Sequence, residues 1–381
     1  MKRVSLRNLY RRRIGSSNPV LPTGMTSSLQ SSTLRETGNV RLFDPLAADA
    51  WDDLLTSNTR ATFFHCSNWA RVLCATYGHV PHYLGLMGGQ RALALLPILE
   101  VNSPLTGRRG VALPFSDECG LLCSGASDGD AILQAALELG RARRWKHFEL
   151  RGDIPTIPRP APWVAYVGHK VDLSGGTAAV FARFDGSVRR AIRKAEKARV
   201  ETRVLNTLEA MRMFYALHCQ TRRKHGVPPQ SFSFFRNVFE HVLKPGGGFI
   251  VAATHEGQPI AAGVFVHHGA AGLYKFGASD QSFLNLRGND LVMWEAMKWY
   301  ASRGYSRFSM GRTARSNEGL RRFKCGFGAR EYPINYFRYD LRREAFVAGK
   351  DEKPGWINGA LRLTPMTVFR MIGRVFYAHL D

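Results

Sequence analysis

The sequence predicts an α/β (α+β) fold built as two tandem halves, each a mixed, mostly antiparallel sheet flanked by helices, and three observations carry that prediction. First, "DAILQAALELGRARRWKHFELRG" from Asp130 aligns without a gap on "DLVMWEAMKWYASRGYSRFSMGR" from Asp290, pairing Asp130 with Asp290, Ala136 with Ala296, Arg143 with Arg303 and Phe148 with Phe308. Each copy has the spacing of an amphipathic helix followed by a short strand. Second, a strand, turn and strand precede both copies: "YLGLMGGQRALALLPIL", turning at Gly88 and Gly89, and "FIVAATHEGQPIAAGVFV", turning at Glu256 and Gly257. The same order of elements twice in one chain marks a repeated unit. Third, 381 residues exceed one typical core, and 45% hydrophobic residues are enough to fill two.

Four segments follow in order. Residues 1–39 are rich in Arg, Ser, Thr and Gly, lack the apolar stretch of a secretion signal, and are expected to form a disordered basic tail. Residues 40–165 and 166–345 are the two α/β halves. In the second, a strand "GLYKFGASD" leads through "QSFLNLRGND" to a helix from about Asn289 to Arg303, then to the strand "YSRFSMG", the loop "RTARSNEG", a short helix "GLRRFKCGFGA" and a closing pair of strands in "REYPINYFRYDL". Residues 346–381 end in an amphipathic basic helix with Val368, Phe369, Ile372, Val375 and Phe376 on one face, suited either to dock on the protein's own body or to rest on an anionic membrane surface. No apolar run is long enough to predict a transmembrane helix. The six cysteines are scattered without zinc-site spacing, so a reduced chain without a metal is expected.

A net charge of +23 points to anionic partners: nucleic acid, phosphorylated small molecules or anionic lipid. Within "SVRRAIRKAEKARV", Val188, Ala191, Ile192, Ala195 and Ala198 form one narrow stripe of a helix that Ser187 is expected to cap. Such a helix presents either a solvated basic face or the wall of a groove for an anion. The loop at Arg287 and Gly288, between a strand end and a helix N-terminus, is a second anion site, since free N–H groups and the helix dipole point there.

The stretches "RRAIRKAEK", "HCQTRRKHGVPPQ", "GQPIAAGVF", "YKFGASD", "GNDLVMWEAMKWYASRGYSRFSMGRT" and "NEGLRRFKCGFGA" resemble, in this order, the GNAT acyltransferase superfamily and its FemAB-like and BioF2-like branch. The chain is also similar to FemAB-type proteins associated with exopolysaccharide and exosortase loci. The resemblance implies transfer of an acyl or aminoacyl group from acyl-CoA or aminoacyl-tRNA to an amine, often on a cell-envelope precursor, in the cytoplasm or at the inner face of the membrane. It implies a CoA pyrophosphate loop of the form Q/R-x-x-G-x-G/A. Here that loop reads "NLRGND", which keeps Gly288 but ends in Asp290, a departure that disfavours acetyl-CoA itself.

The candidate residues come from these motifs. Lys324 matches the lysine of the Fem-like "FK" motif, where a cation stabilises charge developing on the reacting carbonyl. Arg287, Gly288 and Asn289 are candidates for the donor, with Arg312 either a phosphate or carboxylate clamp or a loop-fixing ion pair. His218, on a helix opened by Thr207, is either a core-edge residue or a proton acceptor. Asp280 is a candidate base and Tyr274 a candidate proton donor. Arg189, Arg193, Lys197, Arg222, Lys224 and Lys275 are candidates for substrate, an anionic donor or a phosphorylated, lipid-linked acceptor, with Gln230 beside them. No nucleophile motif is visible, which favours direct attack of the acceptor amine. Two other readings suit the charge and the degenerate loop: a non-catalytic nucleic-acid binder and a membrane-peripheral assembly factor.

Overall fold

In the computed structural model residues 40–47, 50–56, 58–154, 159–349 and 364–379 are described. The tail expected over 1–39, and part of the linker before the last helix, lie outside the described residues. The first half contributes β1 (Val40–Phe43), α1 (Ala50–Leu55), α2 (Ser67–Tyr77), β2 (Val80–Gly88), β3 (Arg91–Ser103), β4 (Gly107–Val111), β5 (Leu122–Cys123), α3 (Ala126–Ala142) and β6 (His147–Arg151). The second runs through β7 (Val164–Asp172), α4 (Gly176–Ala182), α5 (Gly186–Lys197), β8 (Glu201–Leu205), α6 (Leu208–Lys224) and α7 (Phe232–Val238) to β9 (Gly248–His255), β10 (Gln258–His268) and β11 (Ala271–Ser279). After these come α8 (Gly288–Ala301), β12 (Arg307–Ala314), α9 (Glu318–Gly326), β13 (Arg330–Asp340), β14 (Ala345–Val347) and α10 (Met366–Phe376).

The repeat read from sequence is a repeat of structure. The series β2, β3, β4, α3, β6 matches β9, β10, β11, α8, β12, and both hairpin turns fall where glycine was read. Glu256 and Gly257 both take positive φ, as the tightest hairpin turns require. In each half the strand after the helix pairs in parallel with the strand before it, with Gly110 opposite Phe148 and Gly272 opposite Phe308. Those glycines make room for a ring of the crossing helix or its end: a Cβ at Gly272 would stand 2.7 Å from Tyr300, and one at Gly110 would enter the Trp145 ring.

The strands form one mixed sheet in the order β1-β2-β3-β4-β6-β13-β7-β12-β11-β10-β9-β8. The closing segment, expected as a pair of strands, is a single long β13 that joins the halves. It pairs with β7 through Arg330–Tyr336 and with β6 through Tyr336–Asp340, so Pro333 falls where β13 has a partner on one side only. The largest core also crosses the seam. Trp69 of α2 meets Phe234 of α7 edge-to-face at 5.9 Å, beside Phe64, Phe214 and Phe235.

Two local boundaries differ from expectation. Helix α5 starts at Gly186 behind Asp185, because the Asp185 carbonyl already accepts the Arg189 N–H at 3.0 Å. In α10, the face read as single is split: Phe369, Gly373 and Tyr377 are buried against the body, whereas Val368, Val375 and Phe376 point to solvent. Among the described residues no helix is long and apolar enough to cross a membrane.

A buried ion network fastens β6 to β13. Glu149 accepts from Arg151 Nε and Nη2 at 3.1 and 3.0 Å and from Arg338 Nη2 at 2.7 Å. Burial pushes its carboxyl up, and the two guanidiniums more than reverse this, holding it near 2. Glu149→Ala leaves two desolvated cations and should cost about 3–5 kcal/mol in urea unfolding. The network's contribution is present above the ordinary carboxylate value of 4.5 and should be lost as pH falls toward 2.

Candidate functional site

The site begins where two parallel strands part. Strands β11 and β12 pair only through Ala271–Leu273 and Arg307–Ser309, after which each follows its other neighbour. A bulge in β12 between Ser309 and Arg312 places Gly311 at φ +69, a conformation that suits glycine. That turn aims two consecutive carbonyls at α9. Lys324, only 3% exposed, donates from Nζ to Gly311 O and to Arg312 O, both at 3.2 Å. Burial lowers its pKa to about 8, with the Asp117 carboxylate opposing the shift. Lys324 is therefore a desolvated cation at neutral pH, buried behind the bulge at Gly311 and outside the lining of the three neighbouring cavities.

Asp117 comes from the other half of the chain. Its loop follows β4 and turns back through Leu113 and Phe115, both at positive φ. The carboxylate lies 3.8 Å from Lys275 Nζ and 3.9 Å from Arg312 Nε, and a Cβ at Gly311 would come 3.1 Å from its Oδ2. Asp117, Glu118, Lys170, Arg307, Ser309, Gly311 and Tyr332 belong to the wall of a cavity of about 400 Å³ along the seam. Sequence reasoning missed Asp117, and no local signal marks it, because its partners lie about 160 to 200 residues downstream.

At the far end of β11 a second cavity of about 220 Å³ is lined by Asp280, Arg287, Gly288, Asn289, Asp290 and Phe323. A third, of about 570 Å³, shares Arg287, Asp290 and Phe323 with it and adds Arg190, Lys194 and Arg322. The loop before α8 thus opens on a basic groove. Gly288 packs against β10, where a Cβ would meet Ile260 Cδ1 at 3.1 Å. Asp290, in the first turn of α8, also faces this groove; burial raises its pKa while Arg287 opposes. A carboxyl group therefore stands at the helix end that would otherwise receive a phosphate.

Several candidates take other places. Helix α5 turns Arg190 and Lys194 into the groove, and Arg189, Arg193 and Lys197 lie on the stripe one residue over, outside its lining. His218 is 5% exposed among the rings of Phe214, Phe235 and Phe276, and burial drives its pKa down to about 3. It is a core residue, lining none of these three cavities, and Gln230 is buried near it. Arg312 takes the loop-fixing place of its two readings: its guanidinium stacks on Tyr166 at 4.3 Å, donates to Tyr336 Oη at 2.6 Å and lies 3.9 Å from the Asp117 carboxylate. Lys275 is likewise engaged, donating to Phe115 O at 2.7 Å beneath the rings of Phe64 and Trp69. Arg222 binds Pro228 O and the Tyr377 hydroxyl, Lys224 is exposed at the end of α6, and neither lines any of these three cavities. Asp280 accepts the Ser282 N–H at 2.9 Å as the cap of the turn Gln281–Leu286, with its side chain at the second cavity. Tyr274 lies between the sheet and α8, its ring 5.5 Å from Phe265 and its hydroxyl pushed up to about 12 by burial.

Residues 182–332 match the family model of the acetyltransferase (GNAT) domain. This segment is similar to GNAT acetyltransferase domains. FemX shares the fold at a TM-score of 0.63, with 14% identity over 80% of this chain and 98% of that one. A tandem GNAT protein from the clavulanic acid biosynthesis pathway aligns at a TM-score of 0.50, with 13% identity over 79% of this chain and 98% of that one. No curated protein matches the sequence.

The matched segment contains α5, the hairpin β9–β10, the split strands, α8 and α9, so Lys324 and the basic groove fall inside it and Asp117 outside. Near Lys324, His169, Cys325 and Glu331 bring possible metal-ligand atoms within 4.8 Å of one another. Arg321 already donates to both Glu331 oxygens at 2.9 and 2.8 Å, and Glu331 raises the Cys325 thiol further after burial has raised it, so this group is an ion-pair network and no nucleophile.

Lys324→Met keeps the volume and removes the cation. It should lower the thermal midpoint, because the Gly311 and Arg312 carbonyls lose this donor, and lower any transfer rate per folded molecule by about 10²–10³. In the parent, the contribution that depends on this cation should fall as pH rises through about 8, which a kcat–pH profile would show.

Proposed function

We propose that the protein is an N-acyltransferase that moves an acyl or aminoacyl group from a phosphate-bearing donor to an amine, with the donor in the split between β11 and β12 and the acceptor in the seam cavity. The observation that carries this reading is the buried Lys324 ammonium, fixed by the Gly311 and Arg312 carbonyls directly behind Gly311, which lines the seam cavity. The acceptor amine attacks the donor carbonyl, and Lys324 offsets the charge that develops on its oxygen. A C–N bond forms and the C–S bond of a thioester or the C–O bond of an aminoacyl ester breaks. Asp117, across Gly311 from Lys324, accepts the proton that the amine loses, and the leaving thiolate or hydroxyl takes up a proton in turn.

Two donors supply the phosphate that Arg190, Lys194, Arg287 and Arg322 would meet. Acyl-CoA would set a pyrophosphate against α8, where Asp290 opposes it. Aminoacyl-tRNA would spread its phosphates along the wider part of the groove, which agrees with the charge of +23. The acceptor is an amine on a cell-envelope or exopolysaccharide precursor, a reading that rests on the resemblance of the motifs.

Titration of the purified chain with acyl-CoA and with aminoacyl-tRNA tests the donor. The expected result is saturable binding of one of them, weakened about tenfold or more by Arg190→Glu/Lys194→Glu and little changed by Arg189→Glu/Arg193→Glu. If neither donor binds, and Lys324→Met is without effect on the cellular phenotype, the protein is a non-catalytic member of this fold. Asp117→Asn should lower kcat with little change in donor affinity, measured under saturating donor.

A further inference from the structure

The outermost helix has two apolar faces, and the reaction site uses neither. Helix α10 is pinned through one of them: Phe369 is fully buried, Gly373 sits so close to Pro229 O that no Cβ would fit, and the Tyr377 hydroxyl donates to Pro228 O at 3.1 Å. Past its end, the His379 carbonyl accepts from Arg109 Nη2 at 3.0 Å, and Tyr377 rests 5.8 Å from the Phe115 ring. The orientation of α10 is thus fixed by both halves of the chain.

The opposite face is where a surface helix normally carries charge. Here it carries Val368, Met371, Val375 and Phe376, exposed by 46%, 62%, 55% and 50%. Arg370 and Arg374 flank this strip on one side, Arg370 lying over the Tyr215 ring at 5.4 Å. Arg223 and Lys224 are exposed at the end of α6, the helix on which α10 rests. A large exposed apolar strip on a pinned helix with a cationic border has the layout of an in-plane membrane helix. At about 16 Å long, α10 is too short to span a bilayer.

We propose that this face of α10 docks the protein on an anionic lipid surface, with Val368, Met371, Val375 and Phe376 entering the boundary between headgroups and acyl chains and Arg370 and Arg374 meeting lipid phosphate. Charge decides the occupant. A second copy would set arginine against arginine in chains that each carry +23, whereas an anionic bilayer complements both the strip and its border. The inference is independent of the reaction proposed above.

The test is co-sedimentation of the full chain with phosphatidylcholine vesicles, with and without a third of phosphatidylglycerol. The parent should bind the anionic vesicles about tenfold or more tightly than the neutral ones, and Met371→Glu/Val375→Glu should lose about tenfold or more of that binding. Arg189→Gln/Arg193→Gln changes the net charge by the same amount elsewhere and should bind nearly as the parent does. Val368→Ser/Phe376→Ser, at the other two positions, should repeat the loss without added charge. The substituted α10 side chains and Arg193 are exposed and Arg189 is only partly buried, so thermal midpoints should move little. The proposal is overturned if the parent binds neither vesicle, if both α10 variants bind as it does, or if the parent is a dimer that Met371→Glu/Val375→Glu dissociates.

Discussion

Parallel pairing of β11 with β12 ends after three residue pairs, and the rest of the site depends on that parting. Had the ladder continued, the edges of both strands would be spent on each other and no cleft would open in the sheet. The bulge at Gly311 makes the parting useful. It turns two carbonyls out of the ladder, and they hold a lysine that would otherwise be too costly to bury. One ammonium thereby satisfies the distorted backbone and sets a cation behind Gly311, at the wall of the seam cavity.

The first half of the chain completes this arrangement more than it repeats it. Its loop after β4 brings Asp117 against Gly311, and its aromatic residues around Trp69 share a core with α6 and α7. Strand β13 crosses over to pair with β6, and Glu149 with Arg151 and Arg338 locks that crossing. The seam cavity is consequently built by both halves, which each supply part of its wall. Such a cavity exists only when the two halves are held in fixed relation, and the ion network and shared core supply that rigidity.

Parts of the site were legible in the sequence because they depend on short-range chemistry. The "FK" pair marked Lys324, and the strand-to-helix loop marked Arg287, Gly288 and Asn289, which do meet at one cavity. For other residues the sequence leaves two readings open, or suggests a ligand role, for a common reason. His218, Arg312 and Lys275 are polar residues in motif-bearing stretches, but their surroundings are rings and carbonyls contributed from distant segments. The basic helix α5 shows the finest distinction: its amphipathic stripe was readable, whereas the choice between Arg190 with Lys194 and Arg189 with Arg193 turns on a rotation of one residue. That rotation is set by how Val188, Ile192 and Ala195 pack against α8.

The sequence by itself determined the repeated order of strands and helices, the glycine turns, the amphipathic faces and the strongly basic character. These follow from periodicity and local backbone preference, which act over a few residues. Only the tertiary structure decided that the halves share one sheet, that Asp117 reaches Gly311 and Lys275 across the seam, and that α10 is apolar on its outer side as well as its inner one. Those outcomes depend on which segments pack together over separations of 100 residues or more, and no local pattern of residues encodes that choice.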